Sequence, residues 1–83
     1  MIKVVFFASL REVVGQGEMH IEASQPMRLS ELNEQVRRSL PSEAQSAVFA
    51  ENVRIAVNQT LVAEDLELQS GDEVAFLPPV TGG

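Results

Sequence analysis

Two short apolar runs near the two ends of the chain constrain its fold more than any other feature. The first is Ile2 to Ala8 (IKVVFFA) and the second is Glu73 to Leu77 (EVAFL), and both are rich in β-branched or aromatic residues. Runs of this length are short for a buried helix, so both are predicted to be strands. Their nearly continuous apolar character is typical of strands that are covered on both faces at the centre of a sheet.

One amphipathic helix is predicted between these runs. Four apolar residues recur at helical spacing, with charged residues on the opposite side: Leu29, Leu32, Val36 and Leu40. Pro41 ends this helix, and Ser42 to about Phe49 is predicted to form a second, shorter one. The main helix is therefore expected to cover one face of a sheet.

The remaining segments predict short strands and turns. Glu18 to Ala23 alternates between polar and apolar residues, which is typical of a half-solvated edge strand. Val53 to Val57 alternates in the same way, and Asn58-Gln59 predicts a tight turn into a strand at Thr60 to Val62. Ser9 to Glu12 fits a capping-box pattern and predicts a single helical turn after the first strand, closed by a left-handed Gly15.

This order of elements predicts an α+β fold of the β-grasp, or ubiquitin-like, kind. In that arrangement a mixed sheet packs on one main helix, and the first and last strands lie side by side and parallel. We predict a β-grasp domain over residues 1–77 and an extended, flexible C-terminal tail over residues 78–83 that ends in Gly-Gly.

Composition excludes several classes of function. The chain has 83 residues, no cysteine and a net charge of -6. Without cysteine there is no disulfide framework or thiolate metal site, and an acidic chain is poorly suited to nucleic acid or an anionic membrane. Glu18, His20 and Glu22 point in parallel from one strand face and do not converge, so no metal site is assigned. The chain starts on a strand-like run and has no apolar stretch of membrane-spanning length, so a cytoplasmic location is expected.

The C-terminal residues are the most informative part of the sequence. Pro78 to Gly83, fully extended, would span roughly 20 Å, enough to reach into a partner's active site. Pro78 and Pro79 favour a stiff exit, and Gly82 and Gly83 let the backbone pass a narrow channel. A terminal carboxylate becomes reactive as an acyl-adenylate, and a sulfur nucleophile can then replace AMP. Because the chain has no cysteine, its C-terminus is the one place where it could carry sulfur.

The sequence resembles the family of molybdopterin synthase small subunits. The run Gly71 to Gly83 (GDEVAFLPPVTGG) looks like the C-terminal signature of that family. Lys3 to Ala8, Leu10 to Gly15 and Ala56 to Val62 match as well, so the resemblance spans nearly the whole chain.

This resemblance implies a sulfur carrier. An ATP-dependent adenylyltransferase related to ubiquitin activators would adenylate the C-terminal glycine, which is then thiocarboxylated. The tail would enter the large subunit of molybdopterin synthase, usually in a heterotetramer, and donate sulfur to cyclic pyranopterin monophosphate. By match, Gly83 carries the sulfur and Gly82 is its required neighbour. No bound cofactor is expected, since the glycyl adenylate and thiocarboxylate are covalent states of the chain. The carrier would donate sulfur as a subunit of the synthase and would not be catalytic alone.

Strand alternation also predicts a partner surface. Lys3 and Glu73 are expected to face solvent, because an unpaired charge beneath the helix would be costly. That places Phe7 and Leu77 on the outer face, beside the root of the tail. Leu61 is a third candidate, supported mainly by the resemblance. The expected contacts continue along the tail through Pro78, Pro79, Val80 and Thr81.

Other functions remain open at this point. A ubiquitin-like carrier that serves thiazole synthesis or tRNA thiolation would share the Gly-Gly end. A protein modifier that forms isopeptide bonds would share the activation chemistry. A plain β-grasp interaction domain with an idle tail is the third alternative.

Overall fold

The structure is a computed structural model that describes residues 1–23 and 25–79. Its elements in chain order are β1 (Ile2–Phe6), α1 (Ala8–Val14), β2 (Glu18–Ile21), β3 (Met27–Arg28), α2 (Leu29–Ser39), α3 (Ser42–Val48), β4 (Arg54–Val57), β5 (Thr60–Val62), β6 (Glu67–Leu68) and β7 (Glu73–Leu77). The predicted boundary between domain and tail falls at the end of β7. Val80 to Gly83 lie outside the described residues, so the boundary stays a prediction.

The sheet has the predicted β-grasp topology. Its five strands lie in the order β2-β1-β7-β4-β5, with β7 at the centre. β1 and β7 are parallel, in a register that runs from Lys3 opposite Glu73 to Phe6 opposite Phe76, and the other neighbours are antiparallel. The adjacency of the first and last strands is thereby confirmed. β3 and β6 form a separate two-stranded sheet that the sequence did not reveal, since each is only two residues long.

The core lies between the inner face of the sheet and α2. The apolar stripe of α2 is buried as predicted, and Leu32 and Val36 are fully enclosed. Phe6 and Phe76 stack with ring centroids 5.7 Å apart, and Phe49 meets Phe76 edge-on at 5.6 Å. Aromatic pairs at these distances add to the stabilisation that burial provides. The inner face of β1 and β7 is therefore fixed in place where the two strands end.

The first connection differs from the sequence prediction. β1 ends at Phe6, and α1 begins at Ala8, which has a φ of 50° in the left-handed region. The N-cap is Phe7, without a side-chain hydrogen bond, so the predicted capping box of Ser9 and Glu12 is wrong. The sharp turn at Ala8 starts the helix two residues earlier than a Ser9 cap would and leaves Ser9 inside the first turn. The helix is seven residues long rather than a single turn, and it ends as predicted at a left-handed Gly15 with a φ of 88°.

The other short elements agree with the sequence. β2 is an edge strand and α3 covers the predicted second helix. Asn58 and Gln59, with φ of 50° and 69°, form the tight turn between β4 and β5, since both residues of such a hairpin turn take positive φ. None of the helices in the described ranges is long and apolar enough to cross a membrane.

One polar contact ties the start of α2 to the segment before β6. Arg28 Nε donates to Asp65 Oδ2 at 2.9 Å, and the Ser30 amide and hydroxyl both donate to the same carboxylate at 2.9 Å. The hydrogen bond from Arg28, followed by those from Ser30, lowers the pKa of Asp65 from 3.8 to about 2. Asp65 therefore satisfies an amide at the helix N-terminus that local residues leave free.

Candidate functional site

The chain leaves the sheet at the end of its central strand. β7 ends at Leu77, beside the point where β1 gives way to α1. The Phe7 amide donates to the Phe76 carbonyl oxygen at 3.2 Å, which continues the β1–β7 ladder by one residue. Phe7 and Leu77 thus lie next to each other at the root of the tail.

Both residues are on the outer face of the sheet, away from α2. Phe6 and Phe76 are 1% and 0% exposed in the core, so the residues that follow them face the opposite way. Phe7 is 45% exposed, Leu77 is half-buried, and Leu61 is 66% exposed on the edge strand β5. Phe7 and Leu77 lie on the outer face, as strand alternation predicted, and Leu61 lies opposite Ala56 on the same face. The role of these three side chains in binding stays a prediction.

The strand register arranges the outer face in three rows. The first is polar and consists of His20, Lys3 and Glu73. The middle row consists of Glu18, Val5, Ala75, Ala56 and Leu61, so it is apolar apart from Glu18 on the edge strand β2. The last, which we call the tail-end row, consists of Phe7, Leu77 and Arg54. The apolar part of the face therefore lies directly against the exit of the chain.

Two alanines form the floor of this face. Ala56 and Ala75 are opposite each other on β4 and β7 and are 7% and 5% exposed, yet neither belongs to the core beneath the sheet. Methyl side chains stand lower than the neighbouring leucine and phenylalanine side chains. The face is thus a shallow apolar surface between Leu61 on one side and Phe7 on the other, a shape that suits a protein partner.

Lys3 of the polar row lies close to two carboxylates, Glu73 in the same row and Glu18 in the middle row. Lys3 Nζ lies 3.8 Å from Glu18 Oε1 and 3.9 Å from Glu73 Oε2, and His20 Nε2 lies 3.7 Å from Glu18 Oε2. These groups are partly solvated, so each pair contributes little to stability. They form a charged border on the outer face at the end of the sheet that is remote from the tail.

The tail itself is only partly described. Pro78 is half-buried and Pro79 is exposed, whereas the predicted site residues Val80, Thr81, Gly82 and Gly83 lie outside the described residues. Sequence reasoning missed the contribution of Arg54, Ala56 and Ala75 to this surface. Alternation did place Arg54 and Ala56 outward, but their position beside the tail depends on the strand order, which a single strand pattern does not contain.

Comparison with known proteins places this geometry in a family. The family model described as the ThiS family matches residues 4–83. The molybdopterin synthase sulfur carrier subunit of Escherichia coli is 44% identical over 86 residues, which cover 100% of both chains.

Solved structures agree in fold. SAMP1 from Haloferax volcanii superposes with a TM-score of 0.85 at 24% identity, covering 99% of this chain and 98% of that one. At that identity the likeness shows the fold alone. The complex of subunits 1 and 2 of the molybdopterin-converting factor from Helicobacter pylori contains a chain that matches with a TM-score of 0.68 at 26% identity, covering 99% of this chain and 97% of that one. The chain belongs to the ThiS family of β-grasp proteins and, within it, to the molybdopterin synthase sulfur carrier subunits.

Proposed function

We propose that this chain carries sulfur on Gly83 and delivers it, as the small subunit of molybdopterin synthase, to cyclic pyranopterin monophosphate. The observation that carries this proposal is the exit of the chain from the exposed apolar face. The central strand ends at Leu77 beside Phe7, and the sequence then continues Pro-Pro-Val-Thr-Gly-Gly. A partner that holds this face is therefore in position to receive the terminus.

The chemistry requires two steps at the C-terminus. The Gly83 carboxylate attacks the α-phosphorus of ATP, which forms an acyl-adenylate and releases pyrophosphate. A sulfide equivalent then attacks the acyl carbon, and AMP leaves with the bonding electron pair, so that the terminus becomes a thiocarboxylate. The first step converts a poor electrophile into an activated acyl group, and the second uses that activation to place a nucleophilic sulfur on the terminus. Neither step needs a side chain of this protein.

The domain contributes binding and positioning to these steps. The apolar rows supply the surface that an activating enzyme or the large subunit would hold. Pro78 and Pro79 restrict the backbone at the exit, which lowers the entropy lost when the tail is inserted. Gly82 and Gly83 have no side chains, so the reacting atoms can be approached closely.

Two partners follow from this scheme. One is an ATP-dependent adenylyltransferase related to ubiquitin activators, and the other is the large subunit, in a heterotetramer. The second is supported by the Helicobacter pylori structure, in which a similar chain is in complex with subunit 2. On this proposal the sulfurtransferase activity belongs to the assembled synthase, and the isolated carrier has none.

Intact-mass spectrometry tests the proposal. The chain is incubated with its activating enzyme, ATP and a sulfur donor, and we expect a mass gain equal to sulfur minus oxygen, located on Gly83 by fragmentation. The variant lacking Gly82 and Gly83 is the control and should show no gain. A gain on an internal residue, or no gain while the activating enzyme consumes ATP, would contradict the proposal.

The same reaction separates the carrier from a protein modifier. If the activated terminus reacted with lysine side chains instead, the same reaction with cell lysate and without the sulfur donor would give a ladder of isopeptide conjugates. A carrier gives the thiocarboxylate with sulfur present and no such ladder. A carrier for thiazole or tRNA thiolation would form the thiocarboxylate but would not restore molybdopterin synthesis with the large subunit.

A further inference from the structure

Arg54 lies at the root of the tail because of strand register. It is the first residue of β4 and stands opposite Leu77, the last residue of β7. Ile55 and Val57 pack toward the core, so alternation puts Arg54 on the outer face with Ala56. Its side chain is exposed. The tail-end row therefore holds one cation next to two apolar side chains.

This cation has no carboxylate partner within the described ranges. Lys3, Arg28 and Arg37 each lie within 4.0 Å of an acidic side chain, whereas Arg54, like Arg11 and Arg38, has no such neighbour among the described residues. Glu64 and Asp65 line a groove of about 350 Å³ together with Arg54, yet neither carboxylate comes within that distance. Asp65 is already bound by Arg28 and Ser30. No carboxylate in the described part of the chain therefore occupies the guanidinium.

The sign of this charge is opposite to that of the whole chain. The net charge is -6, and Lys3 at the far end of the outer face is already paired with Glu18 and Glu73. An unpaired cation at the edge of an apolar contact surface fixes the orientation of docking more than it adds affinity. A guanidinium also matches a carboxylate geometrically, since it can donate two parallel hydrogen bonds.

We propose that Arg54 pairs with a carboxylate on the large subunit when that subunit holds the outer face. This inference rests on the proposed function, because it identifies the large subunit as the partner. The pair orients the carrier so that the tail, which leaves beside Arg54, points into the partner's active site. The apolar side chains of the middle and tail-end rows provide the contact area, and the ion pair of Arg54 fixes the orientation of the carrier.

Charge reversal with a matched control tests this contact. Arg54→Glu is compared with Arg38→Glu, which makes the same change of net charge on the other side of the molecule. Arg38 is an exposed arginine of α2 that forms no ion pair with a described residue. Association with the large subunit is measured by surface plasmon resonance at low and high salt. We expect Arg54→Glu to weaken binding about tenfold more than Arg38→Glu at low salt, mostly through slower association. The difference in affinity between the two variants should disappear near 1 M salt, where the screening length is about 3 Å.

A second variant separates charge from packing. Arg54→Met keeps a long apolar side chain and removes the charge, since the stem of arginine can itself cover apolar surface. We expect about threefold weaker binding at low salt and a smaller salt dependence than in the wild type. If Arg54→Glu does not fold, Arg54→Met alone tests whether the charge of Arg54 contributes to binding.

The outcomes distinguish this contact from the proposed function. If wild type and Arg54→Met bind with the same affinity and salt dependence, or if Arg54→Glu is no weaker than Arg38→Glu, the contact with Arg54 is refuted. A loss that persists unchanged at high salt also refutes it, because that loss would be due to packing. If the wild type itself neither binds the large subunit nor forms a thiocarboxylate, the proposed function fails instead.

Discussion

Phe7 and Leu77 lie side by side on the outer face of the sheet, although the residues just before them, Phe6 and Phe76, stack in the core. The two strands end together, and each inner aromatic is followed by an outer apolar residue. The core therefore fixes the position of the surface from which the tail leaves. This arrangement makes stability and binding separable by substitution on the two faces.

Substitutions on the outer face should weaken binding and leave folding nearly intact. We expect Phe7→Ala and Leu77→Ala each to reduce affinity for the large subunit by ~1–2 kcal/mol, as moderate interface anchors do. Phe6→Ala and Phe76→Ala, by contrast, should cost ~3–5 kcal/mol of unfolding free energy, because both rings are buried. Urea unfolding and calorimetric titration measure the two effects. If Phe7→Ala unfolded the domain while Phe6→Ala had no effect, the assignment of the faces would be wrong.

Deletion of Gly83 should abolish sulfur transfer without changing stability. The buried core of the described residues ends with Phe76, so we expect the free energy of unfolding to stay within ~0.5 kcal/mol of the wild type. Synthase turnover with the large subunit should fall to background, since no glycine remains at the matching position to carry sulfur. A variant lengthened by one residue after Gly83 is a useful comparison and should also be inactive. Retention of turnover by the deleted chain would contradict the proposed role of Gly83.

Acid should weaken the contact between Asp65 and the start of α2. The hydrogen bonds of Arg28 and Ser30 lower the pKa of Asp65 from 3.8 to about 2, so the folded state favours the ionised carboxylate. This contribution is fully present above pH 3.8 and is lost as the pH falls from there toward about 2. The stability difference between wild type and Asp65→Asn should therefore shrink over that interval, as measured by thermal unfolding. Glu64→Gln is the control, because Glu64 makes none of these hydrogen bonds; an equal pH dependence in both variants would argue against the effect.

Ala8 should tolerate glycine better than a β-branched residue. Its φ of 50° is in the left-handed region, which costs an L-residue roughly 1–2 kcal/mol. Ala8→Gly relieves this strain but increases the conformational entropy of the unfolded chain. We therefore expect the free energy of unfolding to change by no more than ~0.5 kcal/mol. Ala8→Val should destabilise by ~1–2 kcal/mol, because crowding at the β-carbon is worse at positive φ. Urea unfolding measures both, and equal stability of the two variants would show that the turn at Ala8 carries no strain.

Local sequence patterns were enough to predict most of the secondary structure of this protein and to single out its C-terminal residues. Alternation and helical spacing are local properties, so β7, α2 and the Asn58-Gln59 turn could be predicted from neighbouring residues alone. The Gly-Gly terminus is likewise a property of the chain itself. The faces of β1 and β7 also followed from alternation, since Lys3 and Glu73 could not both be placed beneath the helix.

The surroundings of the point where the tail leaves the sheet depend on long-range strand pairing. Arg54 is opposite Leu77 because β4 pairs with β7, and Ala56 and Ala75 share a floor for the same reason. Pairing between strands so far apart in sequence depends on the packing of the whole sheet, which no local pattern records. The wrong capping box at Ser9 has the same origin: the ladder between β1 and β7 continues to Phe7, and the chain must then turn at Ala8. A long-range hydrogen bond thus set the start of a helix that local residues would have placed elsewhere.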